Sequence, residues 1–479
     1  MMGFGNPPQE KLFSVNVSLD KRVRRNHPLR QVARAIDFDF IYKEVQDSYG
    51  TNGHVSVPPP VILKLMLLLV FYNVRSEREL MDTVPERLDW LWFLGYDLDS
   101  EIPDHSVLSK ARQRWGVEVF QRFFERIVWQ CVEAGLVDGR KVFLDSSLVE
   151  ANASKSSVID THSLKARLHE KYAELEERLE EIAEERSARP DYRTVNQQLR
   201  STTDPDAAVV RRGKPKLAYQ VHRAVDSRSE VITATEVTAG DVNEAHRMEA
   251  LIETHQENTH RSPEVVVADT KYGTKENFLR CAERGLEPHI REFAATNAKR
   301  KQVADLFPPE QFRYDAVEDC YWCPAGQRLQ RKSLHAPRHS YDYAAPKRVC
   351  AACPLQPQCT RNKAGRTITR HQRQAELDRM LQISHSAAAR EDLKLRQHLM
   401  ERSFARGQRF GMARMRWRRL WRATIQEFLT ATIQNIAVLV RYARCPHPIA
   451  LAVQSMPSDP TIFMGRGRFD PFFGSETCF

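Results

Sequence analysis

The stretch VVVADTKYGTKENF at 265–278 restricts the possible fold more than any other part of the chain. Its opening run of small apolar residues, mostly β-branched, suits a strand covered on both faces, and Gly273 then turns the chain into the helical pattern NFLRCAERG. The strand ends on Asp269, and an acid there is either a helix cap or a ligand. A second run, KVFLD at 141–145, ends in the same way on Asp145. In neighbouring parallel strands the two carboxylates would project from one edge of the sheet, where open α/β folds build their sites. Two buried acids repel unless something positive stands between them, and magnesium, which takes hard oxygen ligands, meets that need.

Around these strands the chain divides by pattern. Residues 20–135 read as short helices, PPPVILKLMLLLVFYNV and VEVFQRFFERIVWQCVEAG among them. In DHSVLSKARQRWG, Asp104 or Ser106 would cap a helix carrying Lys110, Arg112 and Arg114, which resembles the recognition helix of a helix-turn-helix. Strand patterns then occupy 140–300, with KLAYQVHRAVD and VITATEVT joined through Asp226 as a hairpin, and His222 read as a structural histidine. LKARLHEKYAELEERLEEIAEERSAR predicts an exposed helix or helical hairpin inserted over 150–215, and TTDPDAAVV returns to the sheet with Asp204 and Asp206 in a turn. Over 305–370 strands and helices are hard to find while cysteines, prolines and basic residues accumulate; helical pattern resumes over 373–443. Residues 446–479, rich in Pro, Gly and Phe without a period, are expected to form a loosely ordered tail.

Charge narrows the partners. Among 479 residues, 72 Lys and Arg stand against 62 Asp and Glu, and the net charge of +10 favours a polyanion. MMGFGNPPQEKLF has no apolar core after a basic start, and VILKLMLLLVF at 61–71 is interrupted by Lys64 and shorter than the roughly 20 residues of a membrane span. A cytoplasmic protein that does not engage membrane is expected, with 61–71 a core helix.

Of nine cysteines, five fall in DCYWCPAGQRL and RVCAACPLQPQC: Cys320, Cys323, Cys350, Cys353 and Cys359. In a reducing compartment paired CxxC turns point to zinc before disulfides, because tetrahedral zinc takes four thiolates and each turn presents two. Five candidates compete for four places. Nearby Arg328, Arg331, Lys332, Lys347 and Arg348 suit a surface that faces DNA.

Two carboxylates seldom hold two metal ions, and the best third acid is Glu401. A helix over 391–406 would gather Leu393, Met400 and Phe404 on one face, with Glu401 at its edge beside Gln397 and Gln408 and Arg396 pointing away from it. Eight arginines follow between 402 and 422, interleaved with Phe404, Phe410, Trp417 and Trp421. Arg402, Arg406, Arg409, Arg414, Arg416, Arg418 and Arg419 suit a phosphate backbone, and the aromatics suit stacking on unpaired bases.

FLDSSLVEANAS, YQVHRAVDSRSEVITATEVTAGDVNEA, VVVADTKYGTKENFLRCAERGLEPHI and MERSFARGQRFGMARMRWRR resemble, in order, the blocks of DDE transposases from bacterial insertion sequences. HPLRQVARAIDFDFIY and PPPVILKLMLLLVFYNVRSEREL resemble that group's N-terminal helical domain. The resemblance implies an α/β, ribonuclease H-like catalytic domain over 140–300 and 373–443, a helical insertion and a zinc-ribbon-like cysteine insertion. It implies that Asp145, Asp269 and Glu401 bind magnesium or manganese for two-metal, in-line cleavage and transfer of DNA strands. It also implies structural zinc on Cys323, Cys350, Cys353 and Cys359, with Cys320 spare. The partners would be double-stranded DNA at terminal inverted repeats and target, engaged by a nucleoid-associated homodimer. The sequence departs from the group at Lys271, Gly273 and Gln408, where a glycine, an acid and a lysine are usual. Those departures define the alternative, a catalytically inactive DNA-binding protein derived from a transposase.

Overall fold

The computed structural model describes residues 18–50, 55–160, 199–210, 215–293 and 306–443. Most of the helical insertion and the whole 446–479 tail lie outside these residues.

The N-terminal part is helical: α1 (Leu19–Arg22), α2 (Pro28–Ala35), α3 (Phe40–Val45), α4 (Pro59–Phe71), α5 (Glu77–Thr83), α6 (Leu88–Leu94), α7 (Ser106–Trp115) and α8 (Glu118–Glu133). Pro59 and Pro60 start α4 where a helix has no N–H to lose, and its apolar residues are buried nearly all round. It is the core helix expected from its composition. On α5, Ser76 Oγ accepts the Glu79 N–H at 3.1 Å, satisfying a first-turn donor.

A six-stranded sheet follows, built from β1 (Lys141–Glu150), β4 (Ala208–Val210), β5 (Lys216–Asp226), β6 (Ile232–Ala239), β7 (Val265–Ala268) and β8 (Glu287–Ile290). A separate short pair is formed by β2 (Val158–Asp160) and β3 (Leu199–Ser201). In the sheet β4 and β6 both border β5, and the order continues β1, β7, β8. β5 and β6 form the expected hairpin; β1 runs antiparallel to β5 but parallel to β7, with Leu144 opposite Ala268. The carboxylates of Asp145 and Asp269 therefore follow paired residues at the same edge.

Helices cover both faces, which is why β1 and β7 are apolar on each side. On one face Val142, Leu144, Val266 and Ala268 pack against α9 (Met248–Thr259), α10 (Lys275–Arg284) and α13 (Gln374–Ser384). On the other, Phe143, Val225 and Val267 join one core with the N-terminal helices, α14 (Ala387–Arg409) and α15 (Leu420–Ala443). Among the described residues α15 alone is long and apolar enough to cross a membrane, but 78% of its apolar window is buried in this core.

The cysteine-rich segment corrects the expectation of little regular structure. It holds a five-stranded antiparallel sheet in the order β13 (Thr367–His371), β12 (Ser340–Ala344), β11 (Arg328–His335), β10 (Cys320–Trp322) and β9 (Arg313–Asp315). Two short helices, α11 (Lys347–Ala351) and α12 (Gln356–Cys359), lie between β12 and β13. Its small core is Phe312, Tyr321, Leu329, Tyr343, Ala345 and Ile368. Seven of eight β11 residues are exposed, so one face of the sheet carries almost no apolar signal.

Candidate active site

Asp145 and Asp269 meet beneath α14. Asp145 Oδ1 accepts the Ser146 N–H at 2.8 Å, and Asp269 Oδ1 accepts the Thr270 N–H at 2.7 Å, so Asp269 does cap the one-turn helix Thr270–Tyr272. Each keeps capacity for a cation. Arg396 supplies one: it donates to Asp145 Oδ2 at 2.6 Å, and its second terminal nitrogen lies 3.8 Å from Asp269 Oδ1. Burial pushes the Asp145 carboxyl above its ordinary range and the charges of Asp269 and Glu244 add to the effect, while Arg396 and the Ser146 N–H oppose it.

Arg396 reaches the acids from a buried side of α14 that mixes Asp392 and Ser403 with Ala389, Leu399 and Met400. Asp392 accepts from Lys141 Nζ at 2.8 Å and pairs with His289 Nδ1 at 2.6 Å. Two turns beyond Arg396, the Ser403 carbonyl accepts from Arg223 Nη1 at 3.0 Å, and Gly407 lies against the same guanidinium. The anticipated stripe does pack, with Met400 buried and Leu393 and Phe404 partly buried against the main core, and beside it runs a line through Asp392, Arg396, Leu399, Ser403 and Gly407. Glu401 is exposed and accepts from Gln397 Nε2 at 3.2 Å. It lies about 140° around the helix from Arg396, so the structure brings together Asp145 and Asp269 but not Glu401.

The carboxylate found beside the pair is Glu244, which sequence reasoning missed. It is buried, accepts from the Ser146 hydroxyl, and forms an ion pair with Lys271. Gly273 has a separate explanation: a Cβ there would run into the Arg291 carbonyl oxygen, and the Gly273 carbonyl accepts the Phe293 N–H at 2.9 Å.

The aromatic residues around 404–421 are structural, which corrects the base-stacking expectation. Phe410 stacks on Phe71 with centroids 6.1 Å apart, the Arg223 guanidinium lies over Phe404, and Trp417 Nε1 donates to Glu77 at 3.0 Å. Trp421 packs against the main core and beneath Arg422. Arg112 is buried over Trp417 and paired with Glu77, so α7 does not present it as a recognition helix would. Of the arginines expected to hold phosphate, Arg402, Arg409, Arg414 and Arg418 are exposed. Arg402 and Arg406 share Glu230, Arg416 turns inward to Asn73 and the Val74 carbonyl, and half-buried Arg419 gives its N–H to Asp204 at 3.0 Å.

Other candidates have structural partners. Asp204 Oδ1 also accepts from Tyr219 at 2.7 Å, and Asp206 Oδ2 accepts the Leu420 N–H at 2.8 Å, so this turn anchors the start of α15. Asp226 Oδ1 accepts the Arg228 N–H at 2.8 Å inside the hairpin turn. Buried His222 bonds Thr238 Oγ1 at 2.9 Å, and burial holds its imidazole down to about 3.

Cys323, Cys350, Cys353 and Cys359 line one cavity, whereas Cys320 is buried within β10. Burial pushes the Cys359 thiol up, and the charges of the other three sulfurs act in the same direction against Arg366. Cys323 Sγ accepts the Gln327 N–H at 3.3 Å in the CPAG turn. Among the described residues no three His, Cys, Asp or Glu side chains are arranged as a ready metal cage.

Comparison with known proteins supplies the class. A family described as “Transposase domain (DUF772)” matches residues 17–114, and one described as “Transposase DDE domain” matches 322–440. Both matched families are transposase families, and the two matches at either end of the chain support a DDE transposase of the insertion-sequence type. The DDE match covers Glu401 but not Asp145 or Asp269. No curated protein matches significantly. Among solved structures, a piggyBac transposase synaptic complex with hairpin DNA aligns at 9% identity and a TM-score of 0.37, over 88% of this chain and 76% of that one. A Mos1 transposase paired-end complex with left transposon end aligns at 12% and 0.16, over 52% and 64%. Both likenesses are too loose to carry an argument about this chain.

Proposed function

We propose that this transposase cuts and joins DNA at the ends of its insertion sequence, in a ribonuclease H-like domain where Asp145, Asp269 and Glu401 hold magnesium or manganese. The observation that carries this reading is the parallel pairing of β1 with β7, which sets two acids side by side with one guanidinium between them. Hard oxygen donors already sharing a cation fit a divalent metal. Magnesium bound there supplies positive charge to the attacking and leaving oxygens of an in-line phosphoryl transfer. Asp145 and Asp269 fix the edge at which the scissile phosphate must lie. Glu401 is assigned as the third ligand on the family resemblance alone; exposed, bonded to Gln397 and about 140° around α14 from Arg396, it must turn toward the pair when metal and DNA bind. Exposed Arg402, Arg409, Arg414 and Arg418 hold phosphates along the strand.

In this reading 140–300 and 373–443 form the catalytic domain, while 20–135 and 305–370 help choose the element's ends. Zinc on Cys323, Cys350, Cys353 and Cys359 staples the cysteine-rich sheet, whose own core is small. The protein acts as a homodimer on two DNA ends in the cytoplasm, associated with the nucleoid. The test is strand cleavage in magnesium of DNA carrying the element's terminal repeats. Asp269→Ala should abolish it, and undiminished cleavage refutes the assigned site. About one equivalent of zinc is expected in purified protein, and less than half an equivalent refutes the cysteine site.

A further inference from the structure

We propose that Lys271 binds a DNA phosphate beside the scissile bond, and that Glu244 is the positioning residue that fixes its ammonium there. The proposal rests on Asp145 and Asp269 being the catalytic edge, but it assigns two residues for which that reading has no role.

Glu244 begins the one-turn helix Glu244–Arg247, where Asn243 caps the Ala245 N–H at 3.1 Å. Asn277 ties this turn to the one after Asp269, donating to the Ala245 carbonyl at 2.9 Å and the Tyr272 carbonyl at 2.8 Å. Both backbones are therefore held together, and the side chains they carry meet by construction. Glu244 is only 3% exposed, yet one oxygen takes the hydroxyl of Ser146, next to Asp145, and the other takes Lys271 Nζ. Gln220 Nε2 completes the chain of contacts by donating to Ser146 Oγ at 2.6 Å.

The pair is asymmetric. Its carboxylate is buried behind, while the Lys271 side chain is 39% exposed in front, so the pair presents a positive end to solvent at the edge of the sheet. An ammonium has three N–H donors, and the contact with Glu244 leaves others for an incoming oxygen. A compact point charge held in this way suits phosphate. The edge also requires such a charge. Three carboxylates, Asp145, Asp269 and Glu244, are collected there, and a DNA strand brought to them meets repulsion unless fixed cations receive it.

The experiment measures binding of the full-length protein to a duplex carrying its element's terminal repeat, in EDTA, with phosphates around the cut replaced one at a time by neutral methylphosphonates. Lys271→Met should weaken binding about tenfold and lower the salt slope by about 1. One methylphosphonate should cost the wild type about tenfold and cost Lys271→Met nothing further, with Lys271→Arg restoring the coupling. Glu244→Gln should lose the same coupling; if it does not fold, the two lysine variants decide alone. Identical methylphosphonate profiles for wild type and Lys271→Met would overturn the proposal, leaving Lys271 as a counterion for Glu244 only. Because no metal is present, this outcome is independent of whether Asp269→Ala abolishes cleavage.

Discussion

Replacing Arg396 with methionine should tighten the binding of a divalent cation at Asp145 and Asp269. The Arg396 side chain is 12% exposed, and its guanidinium donates to Asp145 at 2.6 Å, with Asp269 at 3.8 Å. A hydrogen bond to a charged group contributes about 1.5–3 kcal/mol, and a cation entering between the acids must release it. With that contact absent, the same free energy returns to metal binding. At 1.4 kcal/mol per factor of ten, Kd should fall by about 10- to 100-fold. Methionine retains much of the apolar length of the arginine side chain, which limits collapse of the site. The assay is titration with Mn²⁺ at constant ionic strength, reading free ion by electron paramagnetic resonance. Asp145→Asn in both backgrounds should abolish the tight site. An unchanged or weaker Kd in Arg396→Met refutes competition and makes Arg396 a group that orients the carboxylates.

Three further outcomes follow from buried charges. Arg223 and Glu427 form an ion pair at 2.8 Å, 0% and 2% exposed, and Glu427→Gln should lower unfolding free energy by about 3–5 kcal/mol because it strands the guanidinium; denaturant melts measure this. Asp206→Ala should cost about 1–2 kcal/mol through the lost cap on α15 while leaving Mn²⁺ affinity unchanged, and a large loss of affinity would place that acid at the metal site. His222 stays neutral in the native protein down to about 3, whereas an unfolded histidine takes up a proton below about 6.5. Its contribution is complete above 6.5 and falls by about 1.4 kcal/mol per pH unit below it; burial lowers His255 in the same direction. His222→Gln should flatten the stability profile between pH 6.5 and 5 relative to wild type, and parallel profiles refute the assignment.

The sheet was legible where its strands are covered twice. KVFLD and VVVAD announce themselves because both faces must be apolar, and their parallel pairing follows from the helices on either side. The second sheet was hidden for the opposite physical reason. Its strands are short, β11 exposes nearly all its side chains, and its core depends on aromatics such as Tyr321 and Tyr343 meeting across the sheet at 5.1 Å. A pairing of that kind leaves no period in the sequence.

The candidate site was legible only as far as its acids. Asp145 and Asp269 are marked by their own strands, but what surrounds them arrives from elsewhere: Arg396 is 251 positions from Asp145, and Glu244 is 27 from its partner Lys271. Helical spacing gave the angle between Arg396 and Glu401 correctly but could not say which side met the sheet, because the packed side of α14 mixes Leu399 and Met400 with Asp392, Arg396, Ser403 and Gly407. The departures at Lys271 and Gly273 are now seen in context. Gly273 allows a backbone approach that no side chain tolerates, and Lys271 answers a buried carboxylate. Random loss of function in a copied gene has no reason to place a lysine opposite a buried glutamate or a glycine beneath a carbonyl. The two residues therefore have structural reasons at this edge, and their departure from the usual pattern is no mark of decay.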